Sequence, residues 1–377
     1  MKFVEEQIYS TVPYAASTVQ SLAIGPKTYF ITAIKFSYVL NYATGTTPLP
    51  NQDAPYRGIT SIAVQGGGRP YLRVASPDAR VFYWANRLRL RGRQKITDFA
   101  TGTGGQAALK WYHSLDWICG VHPLLANGNL NVFDGSAAIP PDPDLSVLIG
   151  WGAAGSSTTQ SLWGTNIGAN TATLIRLTLY GIVPETAQEE PKFYPVWSTS
   201  QYTPTQTYAS LQGLTPLTPG FYYRRTTLME LAGNAGATLP IDYRVDGTGA
   251  TSAGAISEIG IKTADGRFPL NVKTWDLSQQ SQASGFSPAD DNQAVAESGR
   301  QGVTALVGVS SVVSPYNPGV QQIDWVQYAD TKNPAAADPQ YGINMNGKNV
   351  GAVNIATTVD YATNVSLVQL NECYNPL

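Results

Sequence analysis

The chain has 377 residues, of which 43% are hydrophobic and only 13% charged, with 36 glycines and 25 prolines. That composition excludes a disordered polyelectrolyte, and glycine without a three-residue period excludes collagen. Lys and Arg number 24 against 26 Asp and Glu, a net charge of -2, which argues against a main task of holding nucleic-acid phosphates; no sequence-specific nucleic acid is expected as a partner.

In chain order, Phe30 to Asn41 places Ile34, Phe36, Tyr38 and Leu40 against Lys35, Ser37 and Asn41. This period of two predicts a strand with one buried face. Ile59 to Val74 reads as a strand, a turn at Gly66-Gly67-Gly68 and a second strand. Ser76-Pro77-Asp78 opens a helix with a capping hydroxyl, proline in the first turn and an acid at the positive end of the dipole. Val81, Trp84, Ala85 and Leu88 follow at helical spacing. Gly105 to Cys119, with Trp111, Leu115, Ile118 and Cys119 on one side, predicts a further helix closed by Pro123. Thr173 to Val183 and Val365 to Leu370 alternate as strands, and Ser287-Pro288-Ala289-Asp290 to Gly299 repeats the helix-start signal. Asp265-Gly266 and Asn346-Gly347 have the chemistry of tight hairpin turns, where two successive residues take positive φ.

The most informative feature is internal. Ile59-x-x-Ile62-x-Val64, a turn ending Gly68-Arg69, then Leu72-x-Val74 recurs as Ile256-x-x-Ile259-x-Ile261, Gly266-Arg267, Leu270-x-Val272. Ala172 to Leu179 recurs in the same way as Ala362 to Leu370. Between the halves, Val183 to Lys192 carries three acids and two prolines, the composition of a linker. A repeat this long is a duplicated domain, since solenoid units run to roughly 20 to 50 residues. The expected architecture is all-β, two tandem antiparallel sandwiches with a few short helices in the connections, divided as 1–186 and 187–377.

Groups able to do chemistry are scarce. His113, Ser114 and Asp116 are triad types, but neighbours on one backbone segment do not converge as a triad must. His113, Cys119 and His122 are zinc-ligand types without a standard spacing or a fourth ligand. Asp134, Asp142 and Asp144 lie in a Pro-rich loop lacking the ordered spacing of a calcium loop, so a solvated turn is the reading. Thr101 to Gly105 lacks the Gly-Lys-Ser/Thr ending of a P-loop. Arg87 to Lys95 is the one dense basic run, read as a solvated face or as partner to carboxylates across a subunit boundary. Asn364-Val365-Ser366 matches a glycosylation sequon inside a predicted strand and is set aside. No catalytic, cofactor-binding or metal-ligating residue is assigned, and no enzyme is expected.

No apolar run approaches the roughly 20 residues that span a bilayer. Glu5 and Glu6 stand where a secretory signal is apolar, so synthesis in the cytoplasm is expected. Cys119 and Cys373 are too few for a disulfide framework and read as two free buried thiols. With little charge, the polar share falls to Ser, Thr, Asn, Gln and 21 tyrosines. Neutral groups cost far less to bury than ions, which favours a surface packed against copies of itself. The eight tryptophans are read as core and interface residues. The rival is a glycan- or receptor-binding tandem sandwich with aromatic rings at loop tips.

Two similar halves, the repeated hairpins Ile59–Val74 and Ile256–Val272, the Ser76-Pro77 helix start and the closing strands Thr173–Leu179 and Val365–Leu370 together resemble a known family. It is the double jelly-roll major capsid proteins of tailless, membrane-containing icosahedral double-stranded DNA viruses. The resemblance spans nearly the whole chain and lies in layout. It implies two jelly rolls side by side and a pseudo-hexameric homotrimer that tiles an icosahedral virion shell. It also implies penton or minor capsid proteins as further partners. The inserts Asp98–Trp111 and Tyr243–Ala255 are then expected as outward towers, and Met1–Gln20 as a segment facing an internal membrane.

Overall fold

The computed structural model describes residues 1–15, 18–42, 49–50, 59–75, 81–82, 85, 109–120, 137–141, 144–152, 163–165, 170–202, 212–216, 221–231, 256–262, 270–273, 320–324, 343–344, 352–357 and 366–377. In chain order the first strands are β1 (Lys2–Pro13), β2 (Val19–Ala23), β3 (Phe30–Tyr42), β4 (Leu49–Pro50), β5 (Ile59–Gly66), β6 (Arg69–Val74), β7 (Leu109–Ile118), β8 (Ser146–Trp151), β9 (Trp163–Thr165) and β10 (Asn170–Val183). After a 3-10 turn at Ala187–Glu189 come β11 (Phe193–Tyr202), β12 (Gln212–Pro216), β13 (Tyr222–Leu231), β14 (Ile256–Lys262), β15 (Leu270–Lys273), β16 (Val320–Asp324), β17 (Ile343–Asn344), β18 (Ala352–Thr357) and β19 (Ser366–Pro376).

The strand order repeats. One sheet runs β1-β10-β3-β7, and its counterpart in the second half runs β11-β19-β13-β16, with β17 also on β13. The other sheet of the first half runs β2-β8-β5-β6, and its counterpart runs β12-β18-β14-β15. Each half therefore pairs its first strand with its last and its second with its next-to-last long strand, the nested order of a jelly roll. The repeat extends to residue register. Ile62 faces Val74 and Val64 faces Leu72 in the first hairpin; Ile259 faces Val272 and Ile261 faces Leu270 in the second.

The alternating stretch at Phe30 forms β3, with Ile34, Phe36 and Tyr38 almost fully buried. Its other face is closed too, contrary to the one-sided burial expected: Ala33 packs with Ile118 and Tyr180 in a small separate cluster. The hydrophobic core joins Ile34, Phe36, Leu177, Leu179 and Trp117 from the first sheet to Ile62, Val64, Leu72, Val147 and Ile149 from the second.

One expectation is corrected. Gly105 to Cys119 was expected as a helix; residues 109–118 are instead strand β7, paired with β3 along its length. Trp111 and Leu115 satisfy both periods. Burial does not separate them, since Leu115, Trp117, Ile118 and Cys119 are all buried; the backbone pairing with β3 does. Leu109 to Trp111 thereby leave the proposed insert Asp98–Trp111, the rest of which lies outside the described residues. Asn346-Gly347 lies outside the described residues; of the strands on either side, β17 pairs with β13, and β18 lies between β12 and β14 in a different sheet.

Elsewhere the expectations hold or fall outside. Val81, Phe82 and Ala85 are helical and buried; the start signal Ser76-Pro77-Asp78 and residues Trp84 and Leu88 lie outside the described residues. So do the turn at Asp265-Gly266, although its flanking strands pair, the segment Ser287–Gly299, and Tyr243–Ala255. Within Met1–Gln20, β1 pairs with β10 from Lys2 to Pro13, and β2 begins its pairing with β8 at Val19.

Gly67 and Gly68, at φ 54° and 76°, are the two central residues of the turn between β5 and β6. A type I′ turn requires positive φ at both positions, which matches the twist of the strands. A β-branched residue there is strained by about 1 to 2 kcal/mol. Gly68→Val is therefore expected to lower stability by about that much in denaturant titration, while Gly68→Asn, which tolerates this conformation, loses far less.

Candidate functional site

Among the described residues the feature with the greatest consequence is the seam where the two halves meet. β11, the first strand of the second half, lies parallel to β6, with Trp197 opposite Leu72 and Ser198 opposite Arg73. This joins β2-β8-β5-β6 to β11-β19-β13-β16 as one continuous sheet. Ala75 N–H donates to Thr199 Oγ1 at 2.9 Å and prolongs the junction. A second stitch comes from residues 137–139. Ile139 and Ile31 exchange backbone hydrogen bonds of 2.8 and 2.9 Å, and Ala138 N–H donates to Phe193 O at 3.0 Å. Gly120 lets this segment pass, since a Cβ there would run into the Ala137 carbonyl.

Side chains lock both faces of the seam. On one, Trp197 stands edge-on to Trp117 of β7 at 6.0 Å and to Phe82 at 6.2 Å between ring centroids. A strand of the second half thus completes the core of the first. On the other face Tyr194 meets Tyr71 at 6.0 Å, and the Arg69 guanidinium lies 5.1 Å over the Tyr194 ring. Such ring pairs contribute about 0.5 to 1.5 kcal/mol each beyond the area they bury.

Across the second half the row that starts at Trp197 turns ionic. Glu372 faces Trp197 on one side and Arg225 on the other, and Arg225 faces Asp324 in register. Arg225 Nη1 donates to Glu372 Oε2 at 3.0 Å, with both side chains buried. The pairing was not anticipated from the sequence. The available signal was Glu372 at an inward position of Val368-x-Leu370-x-Glu372-x-Tyr374, but its partner lies 147 residues away.

The residues singled out by chemistry do not assemble. His113, Ser114 and Asp116 lie on β7 opposite Tyr38, Ser37 and Lys35. Adjacent strand residues point to opposite faces, so the three do not converge. Burial pushes the Asp116 carboxyl above the usual carboxylate range, against the opposing pull of Lys35. Cys119 and Cys373 are buried and neither is in a disulfide; the Cys119 thiol donates to Thr32 O at 3.2 Å, and burial pushes the Cys373 thiol up. Asp144 is exposed in a turn, while Asp134, Asp142, His122, Thr101–Gly105 and Arg87–Lys95 lie outside the described residues. Gly66–Gly68 is the hairpin turn already described. Trp117, Trp151 and Trp197 are each at most 1% exposed, so none of the three can stack on a sugar.

At the margins of the fold, β1 and β15 each have one strand neighbour and one side without a partner among the described residues. On β1 the inward Glu6 is held by Lys27 Nζ and Tyr29 Oη, both at 2.6 Å. Burial works to raise its pKa, but these partners hold the carboxyl below its ordinary range. Phe3 and Tyr9 on the opposite face are 52% and 73% exposed.

No family model and no curated protein matches this chain. Solved structures do. The STIV MCP crystal structure superposes with a TM-score of 0.67 at 14% identity, covering 100% of this chain and 97% of that one. The atomic structure of Sulfolobus Turreted Icosahedral Virus gives 0.65 at 14%, covering 100% and 91%. The major capsid protein P2 of bacteriophage PM2 gives 0.51 at 11%, covering 100% and 98%. The fold is therefore all-β, a double jelly roll, as the repeated hairpins and closing strands implied.

Two substitutions test these energetics. Trp197→Ala is expected to cost about 3 to 5 kcal/mol, the range for a fully buried tryptophan, with one cooperative transition in calorimetry rather than loss of the second half alone. For Asp116 the folded pKa lies above the unfolded one. Its ionisation thus opposes folding, and stability falls as pH rises through the folded value. Asp116→Asn should raise the denaturation midpoint at pH 7 and leave it unchanged near pH 3, where both states already carry the neutral acid.

Proposed function

We propose that this chain is the major capsid protein of an icosahedral virus, a structural subunit that assembles as pseudo-hexameric homotrimers into the virion shell. The observation that carries the reading is coverage. Both rolls, over the whole of this chain, match at least 91% of the chains in the three structures described, which leaves little of either partner for another task. The task is mechanical. A shell needs a rigid, repeated block with self-complementary sides, and a continuous sheet through both rolls provides stiffness across the block.

Several finer points belong to the same proposal. The chain divides into rolls at 1–186 and 187–377, with the acidic connection after β10 as the boundary. It is made in the host cytoplasm and resides in the virion. Its partners are copies of itself and, at lattice corners and edges, penton or minor capsid proteins. Because Lys2–Pro13 is committed to a sheet, contact with an internal membrane through the N-terminal segment would involve the end of a roll rather than a loose tail. The role calls for no catalytic group, and the low charge suits sides that are desolvated on assembly.

Light scattering after size exclusion tests the proposal. A stable species at about three times the 40.4 kDa chain mass is expected, and electron microscopy of concentrated samples should show blocks of pseudo-hexagonal outline. A monomer persisting at micromolar concentration overturns the reading.

A further inference from the structure

We infer that the trimer closes by repeating between chains the junction already made within each chain: β1 of one copy lies parallel to β15 of the next. This inference rests on the homotrimer proposed above and assigns the strands that hold it together.

The argument is one of equivalence. Leu177-Thr178-Leu179 in β10 and Val368-Gln369-Leu370 in β19 are both buried throughout. Leu179 faces Glu6 of β1, and Leu370 faces Thr199 of β11. Glu6 thus corresponds to Thr199, and two residues earlier Val4 corresponds to Trp197. On the other strand, the matching hairpin registers make Leu72 of β6 correspond to Leu270 of β15. Within the chain Trp197 sits opposite Leu72 and Ser198 opposite Arg73. Carried across the repeat, Val4 sits opposite Leu270 and Glu5 opposite Asn271 of the next copy.

Both strands have the side required. β1 pairs only with β10, and β15 only with β14, among the described residues. β1 is also a poor strand to leave uncovered. It is 12 residues long, its first proline is Pro13, and it carries exposed Phe3 and Tyr9. Natural proteins blunt such an edge or pair it. The junction is head-to-tail, so it closes into a ring only if its rotation divides a full turn. Two rolls per chain and three chains make six like junctions, each turning one sixth of a circle.

A short bismaleimide on a Glu5→Cys, Asn271→Cys double variant tests the pairing, since Cys119 and Cys373 are buried and stay unmodified in the folded protein. The expected result is covalent dimer and trimer on a denaturing gel, with each single variant remaining at monomer mass. A native trimer whose double variant yields no covalent oligomer overturns this junction and leaves the trimer standing. A monomeric native protein overturns both. If the double variant does not fold, hydrogen exchange on the unaltered protein decides. Segments 2–9 and 270–273 should exchange at least about tenfold more slowly in the trimer than after its dissociation, and equal rates overturn the junction.

Discussion

The architecture depends on one strand doing two tasks. β11 opens the second roll, yet its Trp197 lies between Trp117 and Phe82 in the core of the first. The main hydrophobic cluster accordingly runs without a break from Ile34 and Phe36 to Met229, Val368 and Leu370. Two rolls joined only by a tether would each need a full core and would unfold separately. Here a single tryptophan, burying on the order of 200 Å² of side chain, belongs to both. The short connection after β10 matters for the same reason, because it delivers β11 beside β6.

The low charge acquires a second explanation beside the one composition first suggested. Neutral polar residues were expected on the outer surface, ready to be desolvated on assembly. Many are already inside: Thr32, Thr60, Thr178, Thr226, Thr227 and Gln369 are buried. Thr178, Thr226 and Gln369 lie on the face opposite the main core, whereas Thr227 stands opposite Leu370 on the core face. A strand buried on both sides cannot alternate apolar with charged residues, and threonine serves on the second face because it favours extended backbone and can hydrogen-bond locally. Charge is buried as well, at Arg224 and at the Arg225–Glu372 pair. Removing one member of such a pair typically costs about 3 to 5 kcal/mol, because the other is left charged in the core.

What the sequence disclosed follows the distance over which each feature is determined. The hairpin at Ile59–Val74 is specified within 16 residues, and its copy at Ile256–Val272 within 17, so both were legible, down to the Gly67-Gly68 turn. β7 was misread because Trp111 and Leu115 fit a period of two as well as a helix, and only pairing with β3 decides between them. The seam was invisible for the same reason. Nothing near Trp197 announces Leu72, 125 positions earlier.

Duplication also changes the problem of sheet edges. A single roll of this order has unlike margins in its two sheets, among them its first strand and the second strand of its hairpin. Placed in tandem, the hairpin margin of the first roll meets the opening strand of the second, and one of each kind is left per chain. Unlike margins that do not share one self-complementary patch cannot both be met through a two-fold axis. They require a head-to-tail neighbour, and such contacts end either in a ring or in a filament. The β6–β11 junction is therefore more than a detail of packing, since the same junction repeated between chains, as proposed above, would determine which of the two this chain builds.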